Sequence, residues 1–391
     1  MTRLLDEFEK YLLKTYKRYD VVFVKGKNKY LFDINGKKYL DFFSGLSVCN
    51  FGHCDKDLVK ILKKQSENLW HCSNLFYNPL QLKLAKELVK KSFPAKVFFS
   101  NSGAEANECA IKIARKYGSN FGKYEIITFK NSFHGRTIAT LSATGQSKFH
   151  KGFEPLLDGF KYAEFNNIDS VKKLINKKTI AIMLEPIQGE GGVIPAEQSF
   201  LKEIRNICDE KNLILIFDEI QTGFGRTGKF FAYQYYEVKP DIITLAKSIA
   251  NGIPLAATIV DKKYTNVFKY GDHGSTFGGN LLSCAVAIEL IRKINDKLLK
   301  NVEDVGNYFF NKLCELKNKY NLITSVRGVG LMLGMELKLN ARDLVEECLK
   351  KGVVINVTQE KVIRFLPPLN ITKLDVNFVI NVLDKILKRF S

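Results

Sequence analysis

The chain of 391 residues contains eight cysteines but no CxxC pair. The nearest thing to a metal pattern is His53-Cys54 with His71-Cys72, and tandem neighbours cannot easily aim both side chains at one zinc. Free thiols in a reducing compartment are therefore expected. No apolar run approaches the ~18 residues of a membrane span. The opening "MTRLLDEFEKYLLKTYKRYD" mixes acids with bases around no apolar core, so neither a secretory nor a mitochondrial signal is read there and a cytoplasmic location is expected. Acids are also in short supply, 41 against 60 Lys and Arg, for a formal net charge of +19. Such an excess raises the question of a nucleic-acid or membrane partner. The basic residues, however, are scattered singly or as pairs such as Lys37-Lys38, Lys63-Lys64 and Lys172-Lys173, with no basic block and no interleaved aromatics. They read as solvated faces, and neither partner is expected.

Repeats, low-complexity tracts and long linkers are missing too. What is present is an α/β pattern long enough for two lobes. "YLFDINGKKYLDF" has two strand-like runs around Asn35-Gly36, a hairpin signal. From about Leu80, helical and apolar strand-like segments alternate. "LQLKLAKELVKKSF" precedes "KVFF", a helix from Ala104 to Tyr117 precedes "EIITF", and "SFLKEIRNICDEKN" lies between "IAIMLEP" and "LILIFDE". "DIITLA" and "AATIV" follow. This alternation predicts a mostly parallel sheet covered on both faces. From about Ser283 helical periodicity dominates, interrupted by "VRGVGLMLGMEL" and "GVVINV…VIRFLP", strands of a smaller α+β lobe. The expected division is an N-terminal segment, 1–50, packing with the small lobe, a large domain at 51–282, and a C-terminal small domain at 283–391.

Ligands of open parallel sheets collect at the carboxyl ends of the strands. Four strand ends here carry polar groups: Ser100-Asn101-Ser102-Gly103, Glu185, Asp218-Glu219 and Lys247. Glu185 and Asp218 also read as ordinary caps, although a carboxylate after five apolar residues needs a cationic or hydrogen-bonding partner. "SNSGAEANECAIKIARKYG" opens a helix with a capping box, Ser102 and Glu105, and Gly118 reads as its end. Its small-residue entry leaves amides free for a phosphate; taken alone it reads sooner as a well-made cap without a ligand. "GFGRTG", Gly223 to Gly228, matches GxGxxG but stands too far from its strand and precedes an aromatic run, a poor fit to a dinucleotide site. An amine, a buried carboxylate and a phosphate cradle at neighbouring strand ends suggest pyridoxal phosphate.

The motifs "SNSGAEANECAIKIAR", "SFHGRT", "EPIQGEGG", "FDEIQTGFGRTGKFFA", "AKSIANGIPLAA" and "GSTFGGNLLSCA", in this order, resemble the class III pyridoxal-phosphate aminotransferases over nearly the whole chain. The resemblance implies a fold type I PLP-dependent transferase, like aspartate aminotransferase: a large domain with a mostly parallel seven-stranded sheet plus a smaller α+β domain. It implies pyridoxal 5'-phosphate as cofactor, with Lys247 as the residue holding its aldehyde and Asp218 as partner of its ring nitrogen. Ser102, Gly103 and Ala104 would hold the phosphate, Phe133 would stack on the ring, Gln221 would meet the ring hydroxyl, and Glu219 joins the cofactor set. Thr276 would reach the phosphate of a neighbouring subunit, which implies a homodimer with shared active sites.

For substrates the resemblance implies N-acetylornithine as amino donor and 2-oxoglutarate as acceptor. Arg136 would grip the donor's α-carboxylate and Arg364 that of 2-oxoglutarate, each through a planar fork matched to carboxylates. Without the family frame both arginines read as surface ion pairs. Glu190 would pair with Arg364 while the donor is bound, and Ser275 would touch substrate. Leu46 stands where enzymes for free ornithine carry a tyrosine, which fits a donor with a blocked α-amine. Ser248 and Ala250 replace glycines frequent in the family.

Overall fold

The computed structural model describes residues 7, 8 and 10–390. Seven strands build the central sheet: β1 (Ala95–Ser100), β2 (Glu125–Phe129), β3 (Phe160–Ala163), β4 (Thr179–Leu184), β5 (Ile214–Asp218), β6 (Ile242–Leu245) and β7 (Ala256–Asp261). Their order is β1-β7-β6-β5-β4-β2-β3, parallel except for β7, which runs antiparallel to both of its neighbours. Every residue of β4 and β5 is buried. That is why these strands read as continuous apolar runs: a parallel sheet has both faces covered. The two-residue period still sorts them. On β5, Leu215 and Phe217 join one core cluster while Ile214 and Ile216 join the other, packed under the helix Gly103–Ser119.

One local expectation changes. Gly118 does not end its helix, which runs on to Ser119; a Cβ there would lie 2.3 Å from the Lys123 carbonyl oxygen and 2.8 Å from Ile180, so the glycine serves close packing. The helix Leu281–Lys293 contributes Cys284, Ala287, Leu290 and Ile291 to the large-domain core. This helix is continuous through 282 and 283, and the next one, Asp296–Lys319, sends Val302, Val305 and Phe309 into the core of the smaller lobe.

That lobe pairs Ile323–Val329, Met332–Leu337, Val362–Phe365 and Asn356–Thr358 into a four-stranded antiparallel sheet, packed on the helices Asp296–Lys319, Arg342–Lys350 and Lys373–Phe390. The N-terminal hairpin joins it. Tyr30–Asp33 and Lys38–Asp41 pair around a turn in which the Asp33 carboxylate accepts from the amides of Asn35 and Lys37, with Gly36 at φ +80°. A further strand, Phe23–Lys27, extends one side, and Val353–Val354 pairs parallel to Lys38–Asp41 on the other. Leu40 and Phe42 thereby enter the small-lobe core. Among the described residues, no helix is long and apolar enough to cross a membrane.

Candidate active site

A cavity of about 440 Å³ opens at the carboxyl ends of the central strands, within the range of small-molecule sites. Its wall includes Ser102, Gly103, Ala104, Phe133, Arg136, Glu190, Asp218, Gln221 and Lys247. Sequence-distant residues meet there because each strand of a parallel sheet delivers its last residue to the same edge.

Lys247 leaves β6 through Ala246 and begins a short 3-10 turn with φ +47°, a left-handed conformation that is strained for a residue with a Cβ. Burial lowers its pKa, and the Arg364 charge adds to this; Glu190, Asp218 and Glu185 oppose it. The amine is therefore easier to deprotonate than a surface lysine.

Asp218 is only 4% exposed, it lines the cavity, and both carboxylate oxygens are hydrogen-bonded, Oδ1 only once. Oδ2 accepts from Asn107 Nδ2 at 2.8 Å and pairs with His134 Nδ1 at 2.9 Å, while Oδ1 accepts from the Ile220 amide at 3.1 Å. Asn107 also donates to the His134 carbonyl at 2.7 Å, tying helix, loop and strand together. Asn107 and His134 are functional neighbours that sequence reasoning missed. His134 sits inside the quoted "SFHGRT", and a buried histidine between Phe133 and Arg136 was the available signal. Glu185 accepts from the amides of Phe133 and Gly189, and burial pushes its pKa up to about 7 against the His134 charge.

Ser102, Gly103 and Ala104, expected to hold a phosphate, stand at the N-cap and first turn of the 17-residue helix Gly103–Ser119. Ser102 Oγ accepts from the Glu105 amide at 3.3 Å, but Glu105 reaches back to the amide and side chain of Asn101 instead of closing the box on Ser102. The amides of Gly103 and Ala104 have no carbonyl four residues earlier to bond, and the helix dipole favours an anion beside them. A Cβ on Gly103 would come within 2.8 Å of the Ile220 Cδ1, so the helix start packs closely against that side chain. Gly189 leaves room for Gln221, since a Cβ there would lie 2.1 Å from its Oε1.

The two arginines are in different states. Arg136 is exposed, its guanidinium 4.2 Å from the Phe149 ring centroid and 5.5 Å from that of Phe133, and among the described residues it has no acidic partner. Arg364 is 1% exposed and closed by Glu190, Nη1 to Oε1 at 2.8 Å. Burial would raise the Glu190 pKa; Arg364 and Lys247 outweigh it, and the carboxyl sits below its ordinary range.

Besides Arg364, four expected residues lie off the cavity wall. Glu219 is buried away from the cavity, accepting from the amides of Ala232 and Tyr233 at 2.5 and 2.8 Å at the start of a short helix. Successive strand residues point to opposite faces, so Asp218 and Glu219 cannot share one ligand. Ser275 is one contact removed: its Oγ accepts from Asn101, which lines the cavity. Thr276 is exposed on a loop fastened to Asn74 and Gln81, outside this chain's own cavity. Leu46 belongs to a run of four residues with positive φ, Ser44 to Ser47, and Val48 is the residue of this segment on the cavity wall.

A buried acid, an amine of lowered pKa and a helix N-terminus around one cavity fit a phosphorylated pyridine aldehyde, and define a pyridoxal-phosphate enzyme of fold type I. A family model for class-III aminotransferases matches residues 12–387. The acetylornithine aminotransferase of Methanocaldococcus jannaschii is 50% identical over 387 residues, covering 98% of this chain and 97% of that protein. That of Aquifex aeolicus is 51% identical over 381 residues, covering 96% and 100%. Among solved structures, the ornithine aminotransferase from Toxoplasma gondii ME49 matches with TM-score 0.94 at 33% identity, covering 100% of this chain and 95% of that one. N-acetylornithine aminotransferase from Stenotrophomonas maltophilia K279a matches with TM-score 0.85 at 35% identity, covering 99% of each. The chain belongs to the class-III aminotransferases, and it is a pyridoxal-phosphate-dependent aminotransferase.

Proposed function

We propose that the protein transfers the distal amine of N-acetylornithine to 2-oxoglutarate, giving N-acetylglutamate 5-semialdehyde and glutamate, a step of arginine biosynthesis in the cytoplasm. One observation carries this reading: Arg136 borders the cavity with no acidic partner among the described residues, while Arg364, buried behind the wall, is closed by the cavity-lining Glu190 at 2.8 Å. Arg136 suits the α-carboxylate of an acylated diamino acid, leaving the distal amine at the reactive centre. With Glu190 in place the Arg364 charge is cancelled; with Glu190 withdrawn it can take the α-carboxylate of 2-oxoglutarate. One site would so serve two differently charged substrates. The names of the relatives point the same way.

Pyridoxal 5'-phosphate, when bound, supplies an electron sink for the bond broken at the amine-bearing carbon of the substrate. Lys247 Nζ would hold the aldehyde, Asp218 would keep the ring nitrogen protonated, and Ser102, Gly103 and Ala104 would hold the phosphate. Phe133 would cover one ring face and Gln221 meet the ring hydroxyl. Lys247 Nζ would also take the proton from the amine-bearing carbon of the substrate and deliver it to the cofactor, a role its lowered pKa favours.

A second copy of the chain completes the proposed enzyme. Thr276 stands exposed next to Phe277 on a loop bonded by Asn74, whose own segment exposes Trp70, Phe76 and Tyr77; a homodimer interface would cover these large apolar residues, and Thr276 would reach the partner's phosphate. The second substrate reading is N-succinyl-diaminopimelate, because a Buchnera aphidicola (strain APS) relative 45% identical over 379 residues, 95% of this chain and 93% of that protein, is named acetylornithine/succinyldiaminopimelate aminotransferase. The test compares N-acetylornithine, N-succinylornithine, N-succinyl-diaminopimelate, ornithine and 4-aminobutyrate at fixed 2-oxoglutarate. N-acetylornithine is expected to have the highest kcat/KM; equal or better use of free ornithine overturns the assignment. A monomeric holoenzyme in light scattering overturns the shared site.

A further inference from the structure

Asn356 and Arg364 are paired residues on adjacent antiparallel strands, so their side chains leave the sheet on the same face. Asn356 Oδ1 accepts from Arg364 Nη2 at 2.7 Å and from Nε at 3.2 Å. The guanidinium has only donors, which fixes the amide with its oxygen inward. On the far side, Nη1 donates to Glu190 at 2.8 Å and lies 3.4 Å from Gln221 Oε1. Of the five N–H groups, two are thus held by Asn356 and two face Glu190 and Gln221. The fifth, on Nη2, belongs to the edge that a carboxylate would grip together with Nη1.

We propose that Asn356 is a positioning residue that selects the amino acceptor: it fills the Nε/Nη2 edge of Arg364 and so presents the Nη1/Nη2 edge to a dicarboxylate 2-oxo acid. Being neutral, it leaves the guanidinium charge to be exchanged between Glu190 and the incoming carboxylate. An aspartate would accept the same two hydrogen bonds but would neutralise the cation permanently. An alanine would leave the charge and release the hold. The pair of substitutions separates charge from geometry. The proposal rests on the reading of Arg364 as the acceptor's carboxylate site.

The test uses holoenzyme of wild type, Asn356→Asp, Asn356→Ala and Arg364→Ala. The donor and acceptor half-reactions are followed separately by the visible absorbance of the cofactor, and binding of glutarate, an unreactive dicarboxylate, is measured by calorimetry. Asn356→Asp is expected to raise the KM for 2-oxoglutarate and weaken glutarate by about tenfold, with the donor KM within about twofold of wild type. Asn356→Ala is expected to shift the same two quantities in the same direction. A purely structural asparagine predicts no change in Asn356→Asp, since both hydrogen bonds survive. Unchanged acceptor KM and glutarate affinity in Asn356→Asp, or equal slowing of both half-reactions, overturns the proposal. Arg364→Ala tells the two failures apart. If it too leaves 2-oxoglutarate use unchanged, the reading of Arg364 fails; if it alone weakens the acceptor, only the role of Asn356 falls.

Discussion

Arg226, in the loop "GFGRTG", is fully buried and is predicted to fasten the two lobes together. Its Nε donates to Ser47 Oγ at 2.9 Å, Nη1 to the carbonyls of Leu331 at 3.0 Å and Pro367 at 2.5 Å, and Nη2 to Asn50 Oδ1. Two acceptors lie in the N-terminal segment and two in the small lobe. Arg226→Met fills the same space and takes the arginine donor from all four, with Asn50 Oδ1 keeping only Ser47 Oγ at 3.5 Å. Buried acceptors without donors cost about 1–3 kcal/mol each, while relief from burying a cation without an ion-pair partner offsets part of the sum. A net loss of about 3–5 kcal/mol is expected. With 391 residues and an unfolding entropy of about 2.1 cal/mol/K per residue, that loss lowers Tm by about 4–6 °C. Arg226→Lys, whose single nitrogen cannot fork toward acceptors on opposite sides, should fall between the variant and wild type. The assay is thermal melting of the holoenzyme at fixed scan rate. A Tm for Arg226→Met within about 1 °C of wild type would refute the accounting.

Asp218→Asn removes the negative charge held by His134 and Asn107; kcat should drop by roughly 10²–10⁴-fold while the fold is retained, checked by steady-state kinetics and circular dichroism. Glu219 has its pKa raised from 4.5 to about 7 by burial, partly offset by the amides of Tyr233 and Ala232. The folded state therefore holds a proton that the unfolded chain has lost between pH 4.5 and 7, and ionising this carboxyl destabilises the fold by up to about 3 kcal/mol as pH rises through that window. Glu219→Gln should gain stability relative to wild type between pH 5 and 8, and parallel urea midpoints at both pH values would sink the argument. Gly189→Ala would place a methyl 2.1 Å from Gln221 Oε1; displacement of Gln221 should cost about 1–3 kcal/mol and weaken cofactor retention in dialysis.

The sheet was legible because β4 and β5 are buried on both faces, which leaves an unbroken apolar run that no surface element needs. Lys247 and Asp218 were legible for a related reason: a charged group at the end of such a run has little water and so demands a purpose. Glu219 was read into the same site because it is also acidic and adjacent. The two-residue alternation of strands, applied one residue further, would have turned it away from Asp218 and toward the amides of Ala232 and Tyr233.

Residues that act through others left a weaker trace. Asn107 lies one turn into a helix whose apolar face absorbs attention, and it reaches Asp218 across a sequence separation of 111 residues. Arg226 looked like part of a glycine loop, since its acceptors are two carbonyls, one amide oxygen and one hydroxyl, none of which has a sequence signature. A carboxylate partner would have announced it; carbonyl partners do not. The distinction is physical. A group that takes a proton or holds a charge for substrate must be of one chemical type, so it constrains the residue and shows in a motif. A group that satisfies a buried donor need only be an oxygen at the right place, and backbone oxygens occur at every residue. The cavity's reacting groups were therefore written in residue type, while the scaffold that aims them is written in tertiary position and becomes visible only once the chain is folded.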